Sequence, residues 1–290
     1  SPMSRGLGDV YKRQGIDRIA DIAFADGKVA AIGDGLNGRD MRDAVGKIVT
    51  PGLIDLHTHI YAGHTSIGVE PDPYALKTAC TTLVDAGTAG PANFTGYRRH
   101  IVEPADVNIV SFINISFAGI FAFSRMVMVG ECDDFRLLHA EACLEAIKEH
   151  RELICGVKVR IGMTASGGKG VAPLDIALEV ADAAGLPVMC HLDYPPPSRK
   201  ETLARLRKGD VLTHCFRPFP GAPSHMDGRI REEVLDARAR GIFFDVGHGG
   251  GSFGWMTAEA MVGNGFLPDC ISSCPLYTSD AADEWLRGVV

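Results

Sequence analysis

Residues 51–59 read PGLIDLHTH: a Pro-Gly break, an apolar run, then two histidines separated by one residue. Alternate side chains of a β-strand point to opposite faces, so His57 and His59 share one face while Leu56 and Thr58 take the other. Two imidazoles on one face of a strand end can grip a metal ion, or they can simply meet solvent. The motif alone does not choose, and the remainder of the chain must.

With 290 residues and 46% hydrophobic content, the chain can form one large α/β domain or two smaller ones. A formal charge of −7 and the lack of a dense Lys/Arg run give no electrostatic case for nucleic acid. A small-molecule substrate fits this composition, and self-association into a homo-oligomer stays open. The eight cysteines are scattered with no CxxC pair, which reads as reduced thiols in a cytoplasmic protein. The most apolar window, 109–130, is interrupted by Asn114, Arg125 and three serines, so it reads as a buried strand followed by an apolar loop rather than a membrane span. The opening SPMSRGLGDVYKRQ lacks the apolar core of a secretory signal.

Outward from the histidine pair, DIAFADGKVAAIG (21–33) alternates around Asp26-Gly27 and predicts a hairpin. After Pro51, eight strand-like runs recur: GLIDLHTH (52–59), TTLVDAG (81–87), NIVSFINIS (108–116), CGVKVRIG (155–162), PVMCHLD (187–193), DVLTHCF (210–216), GIFFDVGHG (241–249) and DCISS (269–273). Helical segments separate them. Asp133 and Asp134 are expected to cap a helix running through Glu149, and another is expected from Pro173 to a stop at Gly185. Strands alternating with helices imply parallel pairing, and eight units imply a (β/α)8 TIM barrel. A doubly wound sheet is the runner-up. It is disfavoured because polar residues gather at the C-terminal ends of many different strands, where a barrel builds its site.

Those ends carry His57, His59, Lys158, His191 and His214, and converging imidazoles suit zinc or a similar first-row ion. Cys190 and Cys215 each adjoin a histidine, so they should face the helix layer as packing residues. Asp193 shares a face with His191 and is expected to support it. Lys158 lies in GVKVRIG with Val157, Val159 and Ile161 on the opposite face. It either pairs near solvent or, as a buried group beside metal ions, loses its charge. Carboxylation by carbon dioxide would turn it into an anionic carbamate able to bridge two metals.

In combination PGLIDLHTH, the strand-borne lysine and the later single histidines resemble the amidohydrolase superfamily. GVEPDPY, TTLVDAGTAG, NISFAGI and FDVGHGGGSF resemble its deacetylase branch, often labelled dihydroorotase-like. The resemblance implies a partial N-terminal β-sandwich over 15–50 and a hydrolase barrel over 51–273. It further implies that His57 and His59 bind a first zinc, that carboxylated Lys158 bridges, and that His191 and His214 bind a second. The implied reaction is cleavage of an amide or ester in a small acylated substrate, of N-acyl-D-amino acid or acylated hydroxy acid type, by metal-activated hydroxide. The alternatives are a dihydroorotase-like cyclic amidohydrolase and a non-catalytic metal-binding barrel.

Two departures stand out. Dihydroorotases of the superfamily hold the substrate carboxylate with an arginine two residues beyond the HxH, where this chain has Tyr61. The family also carries a catalytic aspartate at the end of the eighth strand, whereas DCISS runs into CPLYTSDAADEWLRGVV and Asp280 is too distant to serve. Segments 1–14 and 274–290 resemble translated adapter sequence and are expected to be a non-native leader and tail. The barrel is then incomplete at the eighth strand, the chain as written is expected to be inactive, and an unpaired edge should separate the last strand from the first.

GGKG at 167–170 fails the phosphate-loop pattern, because Met163 and Gly170 stand where a glycine and a Ser/Thr are required. His248, just beyond the seventh strand, is a candidate substrate contact, as is Tyr61. His64, His100, His139, His150 and His225 fall in helical or loop segments and are expected to meet solvent.

Overall fold

The computed structural model describes residues 18–124 and 126–275. The expected leader, Arg125 and all but the first two residues of the expected tail lie outside the described residues. Two compact units divide after Leu53.

In the first unit, β1 (Asp21–Ala25) and β2 (Lys28–Gly33) pair antiparallel with Ala25 opposite Lys28. Asp26 and Gly27 both take positive φ, 52° and 72°, the conformation a two-residue hairpin turn demands. The Asp21 carboxylate accepts from the backbone N–H groups of Gly35 and Leu36 and ties down the chain that follows. Among the described residues this hairpin is the only sheet of the unit, a small share of the sandwich expected there.

The second unit is built on β3 (Leu53–Thr58), β4 (Cys80–Ala86), β5 (Asn108–Asn114), β6 (Ile154–Ile161), β7 (Val188–Leu192), β8 (Val211–Thr213) and β9 (Phe243–Asp245). Their order across the sheet is their order in the chain, and from β4 onward every pairing is parallel. A doubly wound sheet would reverse direction at a switch point. This one does not, which makes it an incomplete (β/α)8 barrel.

Between the strands lie α1 (Pro71–Thr78), α2 (Phe94–Tyr97), α3 (Ala140–Glu149), α4 (Met163–Ser166), α5 (Ala172–Ala184), α6 (Arg199–Arg205), α7 (Glu232–Ala239) and α8 (Trp255–Gly263). As expected, α5 has Pro173 in its first turn and a left-handed Gly185 as its stop. The helix expected from Asp133 and Asp134 instead starts at Ala140, where the His139 ring accepts from the Ala142 N–H. Asp134 caps only a short 3₁₀ turn over Phe135–Leu137.

Strand alternation sorts two cores. Val157, Val159, Ile161, Cys190 and Cys215 pack with helix residues such as Leu174, Ala177 and Val234 in the outer layer. Residues of opposite parity, including Val84, Phe112, Met189 and Val211, form a separate inner cluster. Lys158 lies beside Met189 in the β6–β7 ladder and therefore belongs to the inner face.

The eighth run forms a single parallel bridge, Asp245 to Cys270, rather than a strand. The expected bare edge is nevertheless covered. Val246, His248 and Gly249 donate to the carbonyls of Cys270, Ser272 and Ser273 on one side, and the Cys274 N–H reaches the His57 carbonyl at 2.8 Å on the other. Segment 109–130 gives β5 and an irregular loop, and among the described residues no helix is long and apolar enough to cross a membrane.

Candidate metal centre

Four of the predicted ligands cluster as imidazoles at the C-terminal strand ends. The His57 ring lies 5.2 Å from those of His59 and His214, and His191 lies 4.7 Å from His214, centroid to centroid. His191 follows the inward parity of its strand, two residues beyond Met189. His214 does not: it follows inward Thr213 and would turn outward but for its left-handed φ of 64°.

Second partners fix which nitrogen His57 and His214 offer. His214 Nδ1 lies 2.6 Å from the Gly247 carbonyl oxygen, which can only accept, so Nδ1 carries the proton and Nε2 a lone pair. His57 Nδ1 lies 2.9 Å from Thr213 Oγ1 and 3.4 Å from Asp245 Oδ2. Since the Thr213 hydroxyl donates to that same carboxylate, the geometry again protonates Nδ1. His59 Nδ1 meets Thr88 Oγ1 at 2.8 Å. His57 Nε2 and His191 Nε2 are buried with no hydrogen-bond partner.

Burial holds all four imidazoles well below their ordinary pKa; the Lys158 cation pushes each in the same direction, and Arg160 adds to this at His57, His59 and His191. Neutral imidazole is the form a metal requires. Lys158 is 1% exposed and its Nζ also has no hydrogen-bond partner. Desolvation draws that ammonium down to about 8. Orphaned buried nitrogens on a set of neutral donors are what a metal site looks like without its ion, and the residues fit one.

The carboxylates that orient this cluster were not singled out in the sequence. Asp245, fully buried on β9, accepts from Thr213 Oγ1 at 2.7 Å and Ser272 Oγ at 2.6 Å. Burial raises its pKa against those two hydrogen bonds. Asp55 accepts the Ser273 hydroxyl and the Tyr74 hydroxyl, and Asp85 accepts the N–H groups of Ile60 and Thr88. A charged residue inside each apolar run was the available signal.

Cys274 was also missed, having been assigned to the tail. It is buried, and donor atoms of His57, His214 and Cys274 all lie within 4.8 Å of one another. It directly follows DCISS, where the resemblance expects an aspartate.

The remaining residues singled out in the sequence take the following places. Asp193 does not contact His191 through a hydrogen bond but accepts the backbone N–H groups of Thr164, Ala165 and Tyr194, anchoring α4. Tyr61 is buried, its hydroxyl donating to the Asn93 carbonyl and its ring stacked on His64. His248 is exposed and stacks on Phe253 at 4.7 Å, outside the imidazole cluster. His150, expected in solvent, is 3% exposed, held between Arg98 and Thr95. Lys169 of the GGKG turn pairs with Asp133 at 3.3 Å.

The amidohydrolase family pattern matches residues 48–219, and the chain belongs to that family. It is 38% identical over 251 residues to a deacetylase of Agrobacterium fabrum (strain C58), covering 86% of this chain and 61% of that protein. It is 37% identical over 261 residues to a deacetylase of Brucella anthropi, covering 89% of this chain and 64% of that protein. The chain thus spans a little under two thirds of these relatives' length. Its fold matches the crystal structure of a dihydroorotase with a TM-score of 0.81 at 36% identity, covering 91% of this chain and 70% of the other.

Proposed function

We propose that this chain carries the metal centre of a zinc-dependent hydrolase acting on an amide or ester of a small acylated substrate, of N-acyl-D-amino acid or acylated hydroxy acid type. The carrying observation is the imidazole cluster, in which Thr213, Thr88 and Gly247 engage the Nδ1 atoms of His57, His59 and His214 while the buried Nε2 atoms of His57 and His191 have no hydrogen-bond partner. His57, His59, His191 and His214 would hold two zinc ions with Lys158 between them. When bound, zinc supplies polarisation of the scissile carbonyl and a lowered pKa for water.

The chain's own residues do the rest. Thr213 and Asp245 keep His57 in one tautomer, and Gly247 does so for His214. With its pKa drawn to about 8, the Lys158 amine keeps a minor neutral fraction, about a tenth, at pH 7. That amine would add to carbon dioxide: its lone pair forms the C–N bond as one C=O π pair moves onto oxygen, and the nitrogen releases a proton, leaving an anionic carbamate. Its negative charge would offset that of cations held by the neighbouring imidazoles. On the substrate side, His248, three residues beyond β9, and Tyr61, beyond β3, are the proposed contacts.

A dihydroorotase-like activity is the second reading, favoured by the likeness to the dihydroorotase structure. Against it, Tyr61 replaces the arginine that would clamp the dihydroorotate carboxylate. Steady-state kcat/KM on zinc-loaded protein carrying Cys274→Asp, compared across N-acetyl amino acids, acetylated hydroxy acids and dihydroorotate, separates the two. Faster turnover of the acylated acids supports the first reading, and faster turnover of dihydroorotate replaces it with the second.

A further inference from the structure

Cys274 brings sulfur into a cluster that the family resemblance fills with nitrogen and oxygen donors. Its N–H is bonded to the His57 carbonyl and its backbone is left-handed, with φ of 48°, which sets the side chain beside the imidazoles. His214 enters by the same device, with φ of 64°. Donor atoms of His57, His214 and Cys274 all lie within 4.8 Å of one another, and the three residues are buried. Among the described residues neither His59 nor His191 joins that group, although the His59 ring stands beside that of His57 and the His191 ring beside that of His214.

The turn after β9 builds this corner. Its GHGGG stretch (247–251) carries left-handed Gly247 and Gly249, and both press on the donors. A Cβ on Gly247 would lie 2.8 Å from His214 Nδ1, and one on Gly249 would lie 3.4 Å from Cys274 Sγ. The Gly249 N–H also holds the Ser273 carbonyl, which fixes the approach to Cys274. At His57, Thr213 and Asp245 engage Nδ1, so the buried Nε2 without a partner is the atom left for a ligand. At His214 the Gly247 carbonyl engages Nδ1 and leaves Nε2 in the same way.

Two imidazoles and one thiolate in a buried corner are a donor set that a four-coordinate ion accepts while keeping one position open. The resemblance divides the histidines otherwise, His57 with His59 and His191 with His214, and gives neither pair a sulfur. We propose that the first metal ion this chain takes up is bound by His57, His214 and Cys274, and that His59 and His191 join only when a second ion enters. The assignment rests on the metal-centre reading above and changes which residues share the first ion. Binding releases the Cys274 proton to solvent, since the thiolate is the ligand. A thiolate is a soft donor, so the first site selects cadmium, zinc or cobalt over magnesium and manganese.

The test is a cobalt(II) titration of the full chain after chelator treatment, followed by the near-ultraviolet thiolate-to-cobalt band. In the wild type the band should grow from the first addition and level off at about one equivalent. Cys274→Ser should abolish it. His214→Ala should require at least about tenfold more cobalt for half the amplitude, whereas His59→Ala should leave the first equivalent unchanged. A band that depends on His59, or one indifferent to His214, would overturn this ligand set and leave the metal-centre reading standing. Cobalt uptake without a band would do the same. If the wild type takes up no cobalt, both fall. X-ray absorption of the wild type at one equivalent of zinc needs no variant to fold: one sulfur and two imidazoles are expected, and a shell without sulfur overturns the proposal.

Discussion

Gly87 and Lys158 touch across the inner face of the barrel: a Cβ on Gly87 would meet the Lys158 Cβ and lie 2.6 Å from its Cγ. Gly87 ends the β4 run with φ of 75°, a conformation that already favours glycine. The lysine therefore has room to stand among the imidazoles only because its neighbour lacks a side chain. Gly87→Ala should lose about 2 kcal/mol or more, from overpacking and backbone strain together. It should also weaken zinc retention by displacing Lys158. Denaturant melts and metal analysis on one preparation check both effects, and a variant with normal stability and zinc would contradict the contact.

Lys158 itself divides metal binding from stability. In the metal-free chain its ammonium is buried with no hydrogen-bond partner, a cost that an apolar side chain of similar length avoids. Lys158→Met should raise the melting stability of the metal-free chain by about 1 kcal/mol or more. Bound zinc should fall from about two ions toward one or none. Unchanged zinc occupancy would remove Lys158 from the centre. A less stable metal-free variant would mean that its ammonium is compensated.

The four imidazoles give the metal-free chain a defined pH response. Each has a folded pKa well below its unfolded value of about 6.5, so below that pH the unfolded state takes up protons that the folded state does not. Their contribution is fully present above about pH 6.5 and is lost progressively as pH falls. Asp85, raised to about 6 by burial, acts in the opposite sense: its contribution is present below its unfolded pKa and lost as pH rises through 6. Asp245 and Glu131, also raised by burial, act in the same sense as Asp85, and the four imidazoles outweigh these three carboxylates in this window. With a chelator present, stability should drop by something of the order of 2 kcal/mol between about pH 7.5 and pH 6. A flat urea midpoint over that range would mean that the imidazoles are charged or solvated.

The features legible in the sequence are those that depend on local spacing. An i, i+2 pair sets His57 beside His59, Asp26-Gly27 makes the hairpin, and Pro173 with Gly185 bounds α5. Repeating strand and helix units define the barrel. What stayed hidden depends on contacts between distant strands. Nothing near Asp245 reveals that Thr213, on the next strand of the ladder, will donate to it, or that both will face His57. The inward turn of His214 needs a backbone angle that parity arguments do not supply. His150 reads as a surface residue at a helix end, yet Phe94, Thr95 and Arg98 fold over it. Cys274 belonged by composition to an apparent tail, although the strand-end carbonyl of His57 draws it into the site.

Cys274 supplies the last prediction. Its Sγ shares a 4.8 Å neighbourhood with donor atoms of His57 and His214, and burial pushes the metal-free thiol up to about 12. A thiol so reluctant to ionise is a poor proton carrier near neutral pH, whereas a carboxylate can accept a proton and hand it to a leaving group. A thiolate bound to zinc would also neutralise part of the metal's charge and weaken its pull on a carbonyl. Cys274→Asp should therefore raise turnover of acylated acids from undetectable to measurable, with the gain about 100-fold or more if proton transfer is the missing step. Zinc content should stay the same, because all the imidazoles remain. Cobalt substitution gives a readout independent of activity: the wild-type chain should show a thiolate-to-cobalt charge-transfer band in the near ultraviolet, and Cys274→Asp should lack it. A band that persists in the variant would place the sulfur ligand elsewhere. An inactive but fully zinc-loaded variant would show that the carboxylate at this position is not enough, and that catalysis depends on parts of the barrel beyond residue 274.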